Sequence, residues 1–373
     1  MHRTIIDGVH QEPYKMIPVL SDSGTARLSS NIDDTTKRNT EYLHPLTTKK
    51  YKWKIVWRNV IAFIYLHIAS LYGIYLAAVV CKWETIGFTM LFGLCTGYGI
   101  TAGAHRLWAH KCYKANTALR LLLAFFNTAA FQNHIYEWAR DHRVHHKFTD
   151  TDADPHNSRR GFFFSHMGWL MVKKQTDVKL KGQLVDMSDL EEDWVVMFQM
   201  KYYFILMPLC AFVIPIGIPM YFWGESLNVA FHCSAILRYT VSLNNTWLVN
   251  SAAHIWGNRP YDRTISPTEN IYVGILAFGE GWHNYHHAFP WDYKTSEYSG
   301  YKTNISTAFI DFFSWLGWAY DLKTVRTEMI EKRALRTGDG THHSIQAGPW
   351  GWGDPDLTKH DKETIDIINP KED

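Results

Sequence analysis

Cysteine and unbalanced charge are scarce in this sequence. The five cysteines form no C-x-x-C pair, which argues against a disulfide scaffold and against a cysteine-based zinc site. Because 38 basic residues balance 36 acidic ones, the formal net charge is only +2, and no nucleic-acid partner is expected. No basic segment leads into an apolar run at the start of the chain, so no signal peptide is expected. An H-E-x-x-H motif is also missing, which disfavours a zincin.

Aromatic residues and histidine, in contrast, are abundant. Aromatics make up 15 % of the chain, which argues against a disordered or fibrous protein. Histidine occurs 20 times in 373 residues. Since imidazole binds metal ions and titrates near neutral pH, an excess of this size calls for a functional explanation.

Long apolar runs indicate a membrane protein with two helical hairpins. At 1.5 Å per residue, each run is long enough to cross a hydrocarbon core of about 30 Å. The fold class that we predict is therefore an all-α membrane protein with four transmembrane helices, in two hairpins, and a helical cytosolic cap. The four predicted spans are 60–80, 86–104, 202–223 and 227–249.

Three of the apolar stretches carry features that complicate this interpretation. The third span contains Pro208, Pro215 and Pro219, which kink helices but are tolerated in membranes. The fourth has Arg238 near its middle, where a charge costs about 3 kcal/mol on insertion scales. Either Arg238 faces protein or the membrane interface, or this segment is a soluble core helix. Leu121–Phe131 is too short to span, so it is an interfacial helix or part of the cap core.

The distribution of basic residues predicts the orientation in the membrane. Five basic residues lie just before the first span, whereas the first hairpin link holds only Lys82. The positive-inside rule therefore places the N-terminus in the cytosol, and two hairpins return the chain to that side each time. The predicted divisions are a mobile polar tail at 1–45, an integral-membrane domain at 46–340 with cap segments 105–201 and 250–340, and a C-terminal tail at 341–373.

Histidine spacing points to shared metal sites. On an α-helix, positions i, i+3 and i+4 lie on one face, so an H-x2-H-H cluster presents its three imidazoles together. A pair five residues apart lies about 140° apart around an α-helix, and it can meet one site only if the helix ends or bends between its members. The clusters are His105 and His110; His142, His145 and His146; Asn250 and His254; and His283, His286 and His287.

Nine imidazoles are too many for one ion. In the four-span topology every cluster faces the cytosol just above the bilayer, so two metal ions with four or five nitrogen ligands each are expected. Imidazole suits Zn, Cu, Fe and Ni, and spacing alone does not separate them. An all-histidine dimetal site at a membrane suggests iron and O2 chemistry on an apolar substrate. His134, His156 and His166 also lie near the clusters, but we expect hydrogen-bonded cap histidines there.

The histidine clusters and their flanking strings resemble the membrane acyl-CoA desaturases of the stearoyl-CoA (delta-9) type, and among them the insect branch. The three histidine boxes occur in that family's order and spacing, and Asn250 and His254 match its additional ligand segment. The resemblance covers about residues 50–340. The strings that carry it are GITAGAHRLWAH, WARDHRVHHK, DADPHNSRRGFFFSHMGWL, TWLVNSAAH, NRPYD, GEGWHNYHHAFPWDY and TGDGTH.

This resemblance implies a cap with two non-haem irons as cofactors, held by the nine histidines and by Asn250, directly or through a water. It implies O2, a long-chain saturated acyl-CoA and cytochrome b5 with its NADH reductase as partners. No H-P-G-G haem motif is present, so cytochrome b5 is expected to be a separate protein. The implied location is the endoplasmic reticulum membrane, with both termini cytosolic. The implied reaction is delta-9 desaturation, with another regiochemistry such as delta-11, a di-iron membrane hydroxylase and a non-catalytic metal-binding protein as alternatives.

The resemblance also implies two sets of substrate contacts. Asn59, Arg140, Asp141, Lys173 and Lys174 match positions that contact the CoA moiety, and cations suit its phosphates. A second set matches residues that line the acyl tunnel near its bend. Its members are Gln132, Trp138, Thr246 and Trp247.

Two glycines of the second span, Gly93 and Gly97, fall where the family's tunnel ends. Small residues at this place leave room for a longer acyl tail, but they also serve close helix packing. Both interpretations are kept at this point.

Overall fold

The computed structural model describes residues 53–298, 300–344, 352 and 359–366. The predicted N-terminal tail, 1–45, lies outside the described residues. Two very short strands, β1 (Lys114–Ala115) and β2 (Ala319–Tyr320), pair antiparallel, and almost all other regular structure in the described part is helical. The helices are, in chain order, α1 (Trp57–Val79), α2 (Trp83–Tyr98), α3 (Thr117–Ala130), α4 (Ile135–Lys147), α5 (Phe162–His166), α6 (Thr176–Gln183), α7 (Ser188–Glu191), α8 (Trp194–Pro208), α9 (Ile214–Trp223), α10 (Leu227–Val229), α11 (Arg238–Asn250), α12 (Ala252–Ile255), α13 (Ile271–Leu276), α14 (His283–Ala288), α15 (Ile305–Trp315), α16 (Thr327–Thr337) and α17 (Lys359–Glu363).

Several of these helices continue into one another through π-helical segments, in which the hydrogen bond runs from i to i+5. Gly99–Ala109 extends α2, Leu209–Val213 joins α8 to α9, and Ala230–Leu237 joins α10 to α11. Pro208 immediately precedes the second of these segments, so the helix passes the proline by widening instead of ending. Short 3-10 turns lie at Ser158–Arg160 and Gly168–Met171.

Three continuous helices in the described part of the chain are long and apolar enough to cross a membrane, namely Trp57–Val79, Trp83–Ala109 and Trp194–Trp223. They contain the first three predicted spans almost entirely, so the predicted helical membrane fold is confirmed at this level. The third helix starts at Trp194 and not at residue 202, because Asp193 caps it by accepting the N–H of Val195 at 3.0 Å.

The fourth predicted span is helical from Leu227 to Asn250, but it is not among these three helices. Arg238 lowers its hydropathy, yet this side chain is only 4 % exposed. Its guanidinium donates to the carbonyls of Ser234 at 3.1 Å, Ala129 at 3.3 Å and Ala211 at 3.1 Å. Of the alternatives for this segment, a helix whose arginine faces protein fits these contacts.

The predicted cap has a core of its own. Leu119 and Leu123 of α3, Ile135 of α4 and Ile310 of α15 are completely or almost completely buried in one cluster. Burying a side chain of this size contributes about 1.5–3 kcal/mol. The stretch predicted from Leu121 lies in α3, which turns one face into this core while Leu121 itself stays exposed. Helix α3 packs on the π-helical end of α2, which carries the first histidine cluster, and on α8, which in turn packs on α4 with the second cluster.

Candidate metal centre

The first histidine cluster lies on the π-helical extension of α2. In a π-helix residues five apart lie on the same face, and the N–H of His110 donates to the carbonyl of His105 at 3.1 Å. The two imidazole rings are 5.0 Å apart. The helix ends at Ala109, directly before His110, so it does end between the two histidines as expected, and its wider π-helical turns carry it past His105.

The second cluster lies on α4, which begins where the His134 side chain accepts the N–H of Glu137 at 3.2 Å. His142 and His146, four residues apart, face the first cluster. Nε2 of His142 lies 2.8 Å from Nε2 of His110, and the rings of His146 and His110 are 4.4 Å apart. The third member, His145, points to a different neighbour, with its Nε2 at 3.3 Å from Nε2 of His287.

The nine histidines converge in two groups. The five-histidine group consists of His105, His110, His142, His146 and His286, and the four-histidine group consists of His145, His254, His283 and His287. Within each group the donor nitrogens all lie within 4.8 Å of one another. The short helix α14 therefore divides its three imidazoles between the groups, as α4 does.

The imidazoles meet through their Nε2 atoms. In the five-histidine group, Nε2 of His286 lies 2.9 Å from Nε2 of His105 and 3.0 Å from that of His146. In the four-histidine group, Nε2 of His283 lies 3.1 Å from that of His254 and 3.2 Å from that of His287. The lone-pair-bearing atoms thus point inward in both groups.

Carboxylates hold three of the rings from behind, at Nδ1. Glu280 lies 2.9 Å from His105, Asp154 lies 2.9 Å from His145, and Asp150 lies 3.1 Å from His254. Asp154 and Asp150 accept the Nδ1–H of His145 and His254 and leave Nε2 with its lone pair, whereas Glu280 makes an ion-pair contact with His105. This is the usual support of a metal-binding histidine. Such an arrangement fixes both the tautomer and the orientation of the ring.

Charge is also arranged to keep most of these imidazoles neutral. Burial, followed by the neighbouring imidazoles, lowers the pKa of His110, His142 and His146 well below the ordinary value. The same causes act on His283, His286 and His287. At His145 burial also acts to lower the pKa, but the charge and hydrogen bond of Asp154 outweigh it, so this pKa is raised.

The donor set fits two transition-metal ions. Metal–nitrogen bonds of about 2.1 Å at right or tetrahedral angles separate neighbouring donors by about 3.0–3.4 Å. The Nε2 separations of 2.8–3.3 Å lie within this range or up to 0.2 Å below it. Each group therefore gathers nitrogen donors at the distances at which one metal ion would bind them. Five and four nitrogens also agree with the expected count for two ions.

A cavity of about 550 Å³ leads from the histidine groups down between α2 and α11. His105, His145 and His283 lie at its upper end, together with Asn250, and Arg238 lies at its lower end. From Arg238 to Asn250 the helix rises about 18 Å. Most of the wall between these ends is apolar, so the cavity suits an extended hydrocarbon chain that passes beneath both groups.

The four predicted tunnel residues differ in their relation to this cavity. Trp138 and Thr246 line it, and Trp138 stacks on His142 with ring centroids 4.9 Å apart. Gln132 lies behind the wall and donates to Thr246 at 3.1 Å. Trp247, like Gln132, is not among the residues that line this cavity. One residue beyond Thr246 on the helix it points about 100° away, and it is 2 % exposed in a cluster with Phe63.

Gly93 and Gly97 both line the cavity, and each fits a different one of the two interpretations. A Cβ added to Gly97 would lie 1.8 Å from Cε2 of Phe278, so this glycine permits close packing. A Cβ at Gly93 would meet only Cγ of Arg238 at 3.6 Å, an ordinary contact. Gly93 therefore contributes open space near the lower end of the cavity.

Three of the residues predicted to contact the CoA moiety, namely Arg140, Asp141 and Lys174, lie together at the middle of α4. Lys174 binds Asp141 by a short ion pair, and Arg140 contacts Asp141 at 3.1 Å. Glu137, which the sequence did not single out, contacts both Arg140 at 3.3 Å and Lys174 at 3.4 Å. Burial opposes ionisation of Asp141, but Lys174 and then Arg140 lower its pKa.

Asn59 and Lys173 lie on two backbone segments that are held together. The Asn59 amide donates to the carbonyl of Leu170 at 2.7 Å, and the N–H of Lys173 donates to the carbonyl of Lys54 at 2.9 Å. Ile55 forms an antiparallel bridge with Val172. Asn59 and Lys173 therefore lie on neighbouring segments, although the amide of Asn59 is already hydrogen-bonded to the backbone.

The three histidines that were left out of the ligand set have other partners. His134 caps α4, and His166 lies 3.0 Å from Ser251 Oγ and 3.1 Å from Asn244 Oδ1. Nδ1 of His156 lies 3.4 Å from Asp154 without a hydrogen bond among the described residues, and its ring lies 4.4 Å from that of His145 at a tilt of 47°, so it belongs to the surroundings of the four-histidine group.

Comparison with known proteins agrees with these observations. A family model described as fatty acid desaturase matches residues 81–299. An acyl-CoA delta-9 desaturase of Acheta domesticus is 60 % identical over 83 % of this chain and 85 % of the relative. An acyl-CoA delta-12 desaturase of Tribolium castaneum is 52 % identical over 87 % and 95 %, and an acyl-CoA delta(11) desaturase of Trichoplusia ni is 49 % identical over 93 % and 98 %. The chain belongs to the fatty acid desaturase family.

Proposed function

We propose that this protein is an acyl-CoA desaturase that introduces a delta-9 double bond into a saturated long-chain acyl-CoA. The observation that carries the proposal is the apolar cavity whose upper end is formed by residues of both histidine groups. A saturated chain in this cavity would present methylene groups, and no other functional group, to the centre.

The proposed cofactor is a pair of non-haem irons, one in each histidine group, with Asn250 as a further ligand, directly or through a water. The inward Nε2 atoms would hold the two irons. When bound, the irons supply the oxidising power that removal of hydrogen from an unactivated methylene requires. Asp154 and Asp150 would keep His145 and His254 in the tautomer that binds metal, and Glu280 lies at the same ring atom of His105.

The remaining residues of the site would position the chain and exclude water. Arg140 and Lys174 are proposed to bind the phosphates of CoA, with Asn59, Asp141 and Lys173 beside them. Helix α4 carries Arg140 and also the second histidine cluster, so the distance from the head-group contact to the centre is fixed by one rigid element. A saturated acyl chain has no polar group of its own, so only the head group can set which carbon atoms lie at the centre.

Support for delta-9 comes from the relative that carries this name, because it is 60 % identical, compared with 49–55 % for delta-11 and delta-12 relatives. The proposed partners are O2 and cytochrome b5 with its NADH reductase. The proposed location is the endoplasmic reticulum membrane, with both termini and the cap in the cytosol. The three apolar helices and the basic residues before α1 support this topology.

Expression in yeast that lacks its own desaturase tests the reaction. Growth without added unsaturated fatty acid, together with a delta-9 product located by gas chromatography and mass spectrometry, is the expected result. A delta-11 or delta-12 product would contradict the regiochemistry, and a hydroxylated product would contradict desaturation. The His145→Ala and His286→Ala variants, each from a different histidine group, should give no product.

A further inference from the structure

A third cluster of metal-type ligands lies outside both histidine groups. It consists of Glu297, His342 and His343, whose donor atoms all lie within 4.8 Å of one another. Nε2 of His342 is 2.8 Å from Oε2 of Glu297, and Nε2 of His343 is 3.7 Å from Oε1. The two histidines belong to the segment that the sequence placed in the C-terminal tail.

Two of the three donors are preorganised. The Glu297 side chain is 12 % exposed, and the Tyr261 hydroxyl donates to its Oε2 at 2.6 Å. The side chain of His342 is fully buried, and its ring lies 5.3 Å from that of Tyr261. His343, with a side chain that is 60 % exposed, leaves the cluster open to solvent. An ion could thus enter from water and meet two fixed ligands.

The segment that carries both histidines is anchored by its own hydrogen bonds. The N–H of Asp339 donates to the carbonyl of Arg259 at 3.1 Å, and the Thr337 hydroxyl donates to the backbone carbonyl of Tyr261 at 2.7 Å. These bonds hold the backbone beside Glu297 without help from the cluster. The donor atoms therefore approach one another because the fold places them there.

The ring of His342 is held at both nitrogens. Nδ1 lies 2.6 Å from Oγ of Ser344 and accepts the backbone N–H of Ser344 at 3.3 Å. Nε2 therefore carries the proton and donates to Oε2 of Glu297 at 2.8 Å. A metal ion that binds Nε2 takes the place of this proton, so binding releases a proton and should strengthen as the pH rises.

We propose that Glu297, His342 and His343 bind one divalent transition-metal ion of the zinc class. Two imidazoles and one carboxylate form a common three-ligand set for Zn²⁺, with a fourth position left to water. Tetrahedral bonds of about 2.1 Å separate donors by about 3.4 Å, a value between the two separations of 2.8 and 3.7 Å found here. The ion links the C-terminal segment to the loop of Glu297. This site is independent of the proposed desaturase reaction.

Equilibrium dialysis of the iron-loaded full chain in detergent against buffered Zn²⁺ tests the site. The numbers of zinc and iron ions per chain are measured together by inductively coupled plasma mass spectrometry. The wild type should bind one zinc without loss of iron, and His343→Ala should lower the zinc affinity at least tenfold. His360→Ala, which removes an exposed histidine elsewhere, should bind zinc as the wild type does. His343→Cys should restore binding, because a thiolate is also a zinc ligand.

His343→Ala is suited to this test because the exposed side chain adds little to folding. Zinc should also raise the melting temperature of the wild type, with reversal by a chelator, and should not raise that of His343→Ala. Glu297→Gln should lose the zinc as well. The proposal is overturned if the wild type binds no zinc beyond the amount that His343→Ala binds, or if zinc enters only as iron leaves.

Discussion

Asp154 holds His145 from behind, with its Oδ2 2.9 Å from Nδ1 of the imidazole. Both side chains are almost fully buried, and Oδ2 also accepts the N–H of Asp150 at 2.8 Å. The carboxylate is therefore fixed by backbone before it orients the ring. Its charge raises the pKa of His145 against the effect of burial, so Asp154 both orients this imidazole and increases its basicity.

Replacement of this carboxylate should weaken metal binding without removing a ligand. For Asp154→Asn we expect iron affinity to fall by about 10–100-fold, because a neutral amide orients the ring less firmly and makes it less basic. Competition with an iron chelator measures the change. Asp152→Asn is the matched control, since Asp152 is half exposed and pairs only with Arg160 in the ion pairs found for it. Equal affinities of the two variants would contradict the role of Asp154.

Single histidine substitutions should distinguish the two groups by iron content. His287→Ala leaves three donors in the four-histidine group, whereas His110→Ala leaves four in the other. We expect His287→Ala to retain about one iron per chain, and His110→Ala to retain more than that, while both lose activity. Elemental analysis of purified variants provides the numbers. His134→Asn keeps a helix-capping side chain and should retain two irons.

The apolar pattern of the sequence predicts the long helices well, because hydropathy acts over many residues at once. It does not predict the π-helix at Gly99–Ala109, since its residues have no local signature that separates it from an α-helix. The wider turn is stabilised by packing on α3 and by contacts such as that of Arg106 with Glu280, which is 174 residues away. For the same reason the relation of His105 to His110 could not be derived from their spacing.

The sequence predicts which nine histidines form the candidate metal centre, but it does not predict how they divide into two groups. The H-x2-H-H spacing brings His142, His145 and His146 to one side of α4, and the structure then sends His145 to a different group. This choice depends on where α12 and α14 lie, which no local pattern contains. The supporting carboxylates, such as Glu280, were missed because the chain has 36 acidic residues and only long-range contacts distinguish these few.

Lys174 should matter for substrate affinity and not for the chemical step. Asp141 and Glu137 raise its pKa against burial, so it stays charged at neutral pH. Loss of a charged contact to a CoA phosphate is worth about 1.5–3 kcal/mol, so Lys174→Met should raise KM for acyl-CoA about tenfold or more with kcat unchanged. Lys174→Arg should retain most of the affinity. Lys179→Met, on an exposed position of α6, is the control, and a KM equal to that of Lys174→Met would refute the assignment.

The buried carboxyl of Glu269 should make the stability of the folded chain depend on pH. Burial raises its pKa from 4.5 to about 8, although the N–H of Tyr285 donates to its Oε1 at 2.8 Å. Because the pKa of Glu269 is higher in the folded than in the unfolded chain, this carboxyl contributes fully to stability at a pH below its ordinary pKa of 4.5. The contribution is lost as the pH rises through about 8. Glu269→Gln keeps the acceptor and cannot ionise. Melting temperatures of the two proteins should therefore diverge between these pH values, with the wild type losing several degrees relative to the variant. Parallel curves would contradict this prediction.

The contact between Gly97 and Phe278 should make the upper part of the cavity wall intolerant of a single methyl group. A Cβ at Gly97 would lie 1.8 Å from the Phe278 ring, and overpacking of this kind costs about 1–3 kcal/mol. Gly97→Ala should therefore lower the melting temperature by several degrees and reduce activity, whereas Gly93→Ala, with its nearest contact at 3.6 Å, should fold normally.

A double-mutant cycle tests whether the Phe278 ring is the cause. Because a smaller side chain at residue 278 relieves the clash, Gly97→Ala combined with Phe278→Leu should recover part of the loss. Thermal unfolding of the wild type, the two single variants and the double variant gives the coupling energy between the two positions. Gly87→Ala, where a Cβ meets nothing within 4 Å, is the control. Strict additivity of the Gly97 and Phe278 changes would show that the ring does not fill the space beside this glycine.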